Sequence, residues 1–367
     1  MAIDLAKKVA HLARDFRETL QLVEFIPYEL EKRIVARLGL VKIEALHGIL
    51  GAYKNELRRA ASGTRNYEIA ELERLITKMK TDVDTGIRNA RNVQVGHSLA
   101  LGFGEIPEHW LFMGHSTFSI LSQDIGEIET IIQTLDATYS AAPAPPVPHA
   151  SLLPAWRHPN LLGPPAALRF AQVYAGPWTP DVASILPGGH PMQDASLRVL
   201  GLCIMMRQLG MVLVPVIAAE GYGSVRARLL HELTMIDFFA LEEAVYEGNP
   251  RGNTTSLVTE WTAQNHPGVP LLLAGRATLN PDRTKWRDQI RNKVCAHMDS
   301  DVPAGMLEMP NWPLIPQDFH AAVERLCQIV VQAARTDIRT AFMTTPVSPI
   351  MNALGLARVN APNWADT

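Results

Sequence analysis

Asp4-Leu5-Ala6-Lys7-Lys8-Val9-Ala10-His11-Leu12-Ala13-Arg14-Asp15-Phe16, continuing to Leu20 and Val23, sets the class of the fold. Apolar residues recur every three or four positions, at Leu5, Val9, Leu12, Phe16, Leu20 and Val23. That is the period of a helix with one buried face. Pro27 closes the run. The same spacing returns in Leu30, Ile34, Leu38 and Val41 and continues to Leu50. It recurs from about Tyr67 through Leu72, Leu75, Met79 and Val83 to Ile87, and again from near Gln123 in Ile125, Ile128, Ile132 and Leu135. No stretch reads as a strand, so the expected class is all-α.

The composition then changes abruptly. Pro143, Pro145, Pro146 and Pro148 stand among small residues, and further prolines and glycines follow to Gly189. This is expected to be a linker, with Trp156, Phe170, Tyr174 and Trp178 laying it against the protein. Helical spacing resumes at Asp194, a candidate N-cap, with Leu197, Leu200, Ile204 and Leu209. A further helix follows Ser224, with Leu229, Leu233, Ile236 and Phe239. A basic helix is expected over about Pro281 to His297, and a last one from near Gln317 with Phe319, Ala322, Leu326 and Ile329. The expected division is therefore a helical module over 1–140, a Pro/Gly-rich linker over 141–192, a second helical module over 193–345 and a tail over 346–367.

Bulk properties narrow the function classes. At 367 residues the chain exceeds what one core usually supports, which makes two domains the starting expectation. Hydrophobic residues at 47% and charged residues at 19% describe a globular chain. A formal net charge of −3 excludes a protein that coats nucleic acid through global positive charge, so any RNA contact has to be local. Cys203, Cys295 and Cys327 are far apart and odd in number, which indicates neither a disulfide framework nor a thiolate zinc site. The first residues carry Asp4, Lys7 and Lys8 and do not resemble a secretion signal. The apolar stretch Val199–Ala219 is interrupted by Arg207 and Pro215 and reads as a buried helix, not a membrane span. A cytoplasmic location is expected.

Two stretches share a pattern. Arg91-Asn92-Val93-Gln94-Val95-Gly96-His97 and Arg291-Asn292-Lys293-Val294-Cys295-Ala296-His297 both place a His six residues after an Arg-Asn pair. Downstream of each, Gln123-Asp124-Ile125 and Gln317-Asp318-Phe319 are expected to open a helix. The pairs Ile128/Ala322, Ile132/Leu326 and Leu135/Ile329 then keep one register. A repeated motif followed by a repeated helix points to internal duplication.

These residues resemble the HEPN superfamily, whose hallmark is an Arg, often followed by a polar residue such as Asn, and a His after four to six intervening positions. Arg291-Asn292 through His297 is the closer match, with Ala296 before the His and Asp299 after it; the first half has Gly96 and Ser98-Leu99 there. The resemblance implies two helical-bundle modules related by a pseudo-twofold axis that brings both motifs together. It also implies RNA cleavage without a metal or other cofactor, in the setting of a toxin or an anti-phage effector. An inhibitory protein partner or a homo-oligomer belongs to the same expectation. Other members of the superfamily are non-catalytic binding modules, so an RNA-binding or protein-interaction module is the alternative.

The chemistry suits the residue types. Histidine titrates near neutral pH, and His97 and His297 could divide the acid and base roles. Arg91 and Arg291 offer permanently charged planar forks to phosphate oxygens, with Asn92 and Asn292 positioning the reacting group or the ring. Arg88, Lys285, Arg287 and Lys293 are the expected substrate-binding cations, with Lys78, Lys80 and Arg283 nearby. On a straight α-helix, residues six apart point about 120° from each other, so convergence needs a partner module or a distorted helix. The same residues could instead be structural, holding two halves together by buried polar contacts.

Other features point elsewhere. Glu44-Ala45-Leu46-His47 has di-iron spacing but only one copy. His231, Glu232, Asp237, Glu242 and Glu243 read as a solvated acidic face in preference to metal ligands. His109 and His115 read as packing or capping residues, and Trp286 as a core residue in preference to a base-stacking platform. Gly102-Phe103-Gly104 and Gly221-Tyr222-Gly223 read as turns.

Overall fold

The stripe at residues 4–23 folds as α1 (Ala2–Phe25), with Leu5, Val9, Leu12, Phe16 and Val23 buried. The computed structural model describes residues 2–27, 29–61, 63–82, 114–150, 152, 194–248, 255–295 and 319–335. Those residues are mainly helical and contain no strand. The second periodic run extends beyond its expected end at Leu50 and forms α2 (Glu29–Ala61), which folds back on α1. Gly63, at φ +80°, begins the turn into α3 (Asn66–Asp82). A side chain at that φ would be strained, and glycine carries no such penalty.

The next helix corrects the sequence reading. α4 spans His115–Leu135, so Gln123 lies inside it and does not open it. Phe118 and Leu121 extend the buried stripe of Ile125, Ile128 and Ile132 toward the N-terminus, and packing of that longer stripe sets the start. Phe118 stacks on Phe16 of α1 with centroids 5.9 Å apart. It also sits over Gly39 of α2, where an added Cβ would lie 2.7 Å from the ring. α4 otherwise packs on α3, and Lys78 donates to the buried Asp124 carboxylate at 2.5 Å.

The second half opens with α5 (Asp194–Glu220). It runs through Pro215 although proline removes a helical hydrogen bond, because Val214 and Val216 are buried on either side. No helix among the described residues is long and apolar enough to cross a membrane. Gly221, at φ +88°, turns the chain, and the Ser224 hydroxyl accepts from the Ala227 N–H to start α6 (Val225–Tyr246). Short helices α7 (Leu257–Ala263) and α8 (Val269–Arg276) follow. The expected basic helix is instead one α turn, α9 (Arg283–Trp286), running into a π-helical segment, Arg287–Cys295. α10 (Phe319–Arg335) closes the described chain. It packs on α8 where Gly275 leaves room for Ile329, an added Cβ lying 2.5 Å from that side chain.

α6 is the central element. It touches α1, α2, α5, α7 and the π-helical segment, and nearly all its residues are buried. One apolar core therefore runs through both halves, from Leu5 and Phe16 to Phe238, Phe319 and Val330. Ile125, Ile128 and Ile132 of α4 and Phe319, Ala322, Leu326 and Ile329 of α10 face this core, whereas Leu135 is only partly buried.

Candidate functional site

The second motif begins on the π-helical segment, whose wider turns are favoured where a helix carries a functional constraint. Its chain runs directly out of α9, where buried Trp286 meets Phe319 edge-on at 6.2 Å. Phe319 in turn meets Phe238 of α6 at 5.4 Å, so aromatic packing fixes one end. Trp286 is thus a core residue. At the other end Cys295 is buried, and its thiol pKa is pushed up by burial and by the negative charge of Glu232. Between these anchors, Arg291 donates through Nη1 to the Asn292 Oδ1 at 2.7 Å, and both side chains are partly exposed.

Of the expected site, Arg291 and Asn292 are brought together. Arg88, Arg91, Asn92, His97 and His297 lie outside the described residues, as does the side chain of Lys293. The cations around the second motif meet acids of α6 and its C-terminal end. Arg283 donates to Glu242 at 2.6 Å, and Arg287 lies 3.7 Å from Glu247. Arg276 donates to the same Glu247 at 2.9 Å while its guanidinium sits 5.1 Å from the Tyr246 ring centroid. Lys285 is exposed.

Beneath the π-helical segment lies a feature that the hydropathy pattern hides. Lys42 of α2 pairs with Glu232 of α6, Glu232 accepts from Arg228 at 2.5 Å, Arg228 donates to Asp15 of α1 at 2.5 Å, and Asp15 lies 3.6 Å from Lys42. Four charges of alternating sign close a ring, and every side chain in it is essentially excluded from solvent. A second buried pair, Arg37 with Asp237 at 2.7 Å, lies alongside. Because Arg37 meets Asp237 while Lys42 meets Glu232, α2 and α6 run antiparallel here. Burial raises the Glu232 and Asp237 carboxyls. Burial would raise Asp15 too, but Arg228, His11 and Lys42 outweigh it and hold that carboxyl well below its usual range.

The expected solvated acidic face is therefore corrected. Glu232, Asp237 and Glu242 are buried and are held by cations from other elements, which is what makes their burial tolerable. Among the described residues no group of three or more His, Cys, Asp and Glu side chains is placed to hold a metal ion.

His11 borders the ring and its tautomer follows from its neighbours. Arg14 can only donate, and its Nη2 lies 2.8 Å from His11 Nδ1, so Nδ1 accepts. Nε2 then carries the proton and faces Asp15 Oδ2 at 3.1 Å. Asp15 favours a second proton on the ring, but burial, together with Arg228 and Arg14, opposes it and lowers the pKa to about 4. The unfolded chain consequently binds a proton near pH 6.5 that the folded chain refuses until about pH 4, so this contribution to stability is lost as pH falls through that window. His11→Gln, which cannot titrate, is expected to lose less stability on acidification than wild type, by roughly 3 kcal/mol between pH 7 and 4. Urea unfolding at both pH values measures the difference; parallel curves would remove His11 from the account.

The chain matches no protein-family model, no characterised protein and no solved structure.

Proposed function

We propose that the protein is a metal-independent endoribonuclease whose site combines Arg91, Asn92 and His97 with Arg291, Asn292 and His297. The observation that carries this reading is the Arg291–Asn292 contact on a π-helical segment moored at both ends. A guanidinium held by a neighbouring amide keeps its charge and loses rotamer freedom, which suits a group that must meet a phosphate in one orientation. The halves share one core through α1, α2, α5 and α6, which supports placing both motifs in one body.

In the proposed reaction one histidine takes the proton of the ribose 2′-OH as its oxygen attacks phosphorus. The other histidine gives a proton to the departing 5′ oxygen. The arginines stabilise the phosphorane as charge builds on its oxygens. A toxin or anti-phage setting, with an inhibitory partner, fits such an activity.

A non-catalytic RNA-binding or protein-interaction module is the second reading. It is favoured by the engagement of Arg283 and Arg287 with Glu242 and Glu247, which reduces the positive charge offered to phosphates. Incubation with total RNA in excess chelator separates the two. Cleavage is expected to persist, to leave 2′,3′-cyclic phosphate and 5′-hydroxyl ends, and to vanish when the ribose 5′ to the cut is deoxyribose. RNA bound but intact would establish the module, and chelator-sensitive cutting to 5′-phosphate ends would overturn the mechanism.

A further inference from the structure

Residues 142–150, Ala-Pro-Ala-Pro-Pro-Val-Pro-His-Ala, form no regular hydrogen-bonded element, yet their exposure is periodic. Ala142 and Pro145 are partly buried and Pro148 is buried, whereas Pro143, Ala144, Pro146, Val147, His149 and Ala150 are exposed. One residue in three faces the protein. Three residues per turn is the period of a polyproline II helix, which four prolines in six positions favour.

The segment is fastened along its length. Before it, the buried Tyr139 donates to Glu129 at 2.7 Å. Gln21 of α1 donates to the Pro145 carbonyl at 3.4 Å, and buried Arg226 of α6 donates to the Pro146 carbonyl. Arg226 is itself held by Glu220 and by Gln21, each at 2.7 Å. The His149 N–H reaches Glu220 at 3.5 Å, and Leu152 is fully buried beyond it. An ordinary connection would need no such row of ties. Beside it, an open cleft of about 480 Å³ runs between α1, α4 and residues 141–145.

We infer that residues 142–150 are a docking ridge for a partner domain whose groove is lined by aromatic side chains and takes a polyproline II helix. Such grooves receive two of every three residues as adjacent ridges while the third points away. Here Pro143-Ala144 and Pro146-Val147 are the outward pairs, and the row at Ala142, Pro145 and Pro148 is already against the protein. The exposed pairs are uncharged, which fits an apolar groove and not a nucleic acid or an anionic surface. Because the segment is already tied to Gln21, Arg226 and Glu220, little conformational entropy remains to be lost on docking. The inference is independent of the proposed nuclease reading.

The test uses the full chain and a set of purified SH3 and WW domains immobilised for interferometry. At least one domain is expected to bind with a Kd below about 1 mM, and Val147→Glu is expected to weaken it at least ~10-fold. Val147 is 78% exposed, so that change tests docking without disturbing the packed row. Pro143→Ala/Pro146→Ala, with thermal melting as the check on folding, is expected to weaken the same complex at least ~10-fold. No binding by any domain in the set, or binding that ignores Val147→Glu, would overturn the inference.

Discussion

Glu232→Ala is expected to destabilise the protein by about 3–5 kcal/mol. The carboxylate meets both Lys42 and Arg228, and its removal leaves Asp15 as the one carboxylate of the ring beside two buried cations. Neither cation can turn to water, since Lys42 and Arg228 side chains are no more than 2% exposed. Glu232→Gln keeps the shape and one acceptor and is expected to cost less, though still well above 1 kcal/mol, because the ring then holds an unbalanced charge. Removing opposite charges together, as in Lys42→Met/Glu232→Leu, leaves Asp15 with Arg228 and is expected to cost markedly less than the two single changes combined. Denaturant unfolding of the four proteins measures this coupling. A loss below about 1 kcal/mol for Glu232→Ala would show that water reaches the ring.

His297→Ala is expected to lower RNA cleavage by ~10²-fold or more, the scale of a lost general acid or base. Arg291→Lys keeps the positive charge but loses the planar fork and the contact to Asn292, and is expected to lower kcat substantially with less effect on RNA binding. His97→Ala separates two-histidine chemistry from a single catalytic motif: a comparable loss supports the first, near-normal turnover the second. Single-turnover assays with folding checked by circular dichroism distinguish lost chemistry from lost structure. If His297→Ala cuts RNA at the wild-type rate, the proposed site is wrong.

The sequence made the helices legible where packing follows hydropathy. The buried face of α1 is the set Leu5, Val9, Leu12 and Phe16 read from spacing alone. Helix limits were less legible: α4 begins at His115 because Phe118 finds Phe16 and the bare backbone at Gly39, contacts far away in sequence. The charge ring was invisible for a related reason. Periodicity assigns every charge to water, and only the pairing of Lys42 with Glu232, 190 residues apart, makes their burial affordable. One local sign existed: α6 scatters Arg226, Arg228, Glu232, Asp237 and Glu242 among apolar residues on all sides, as a helix with no solvent face does. In the candidate site, the adjacency of Arg291 and Asn292 was plain, whereas the π-helical path that carries them depends on Trp286 and Cys295 being buried at its two ends.

The ring also bears on how the chain acquires its structure during synthesis. Asp15 and Lys42 leave the ribosome long before Arg228 and Glu232 exist; at about 5–20 residues per second the gap of 190 residues lasts roughly 10–40 s. During that interval Lys42 has Asp15 but not yet Glu232, and Arg37 does not yet have Asp237. Desolvating them early would be uphill, so the nascent hairpin keeps that face wet and closes only when α6 arrives. Translation order thus makes the late helix the keystone: the first half waits for it, and a chain that stops before residue 232 is left with a hydrated seam where its core should be.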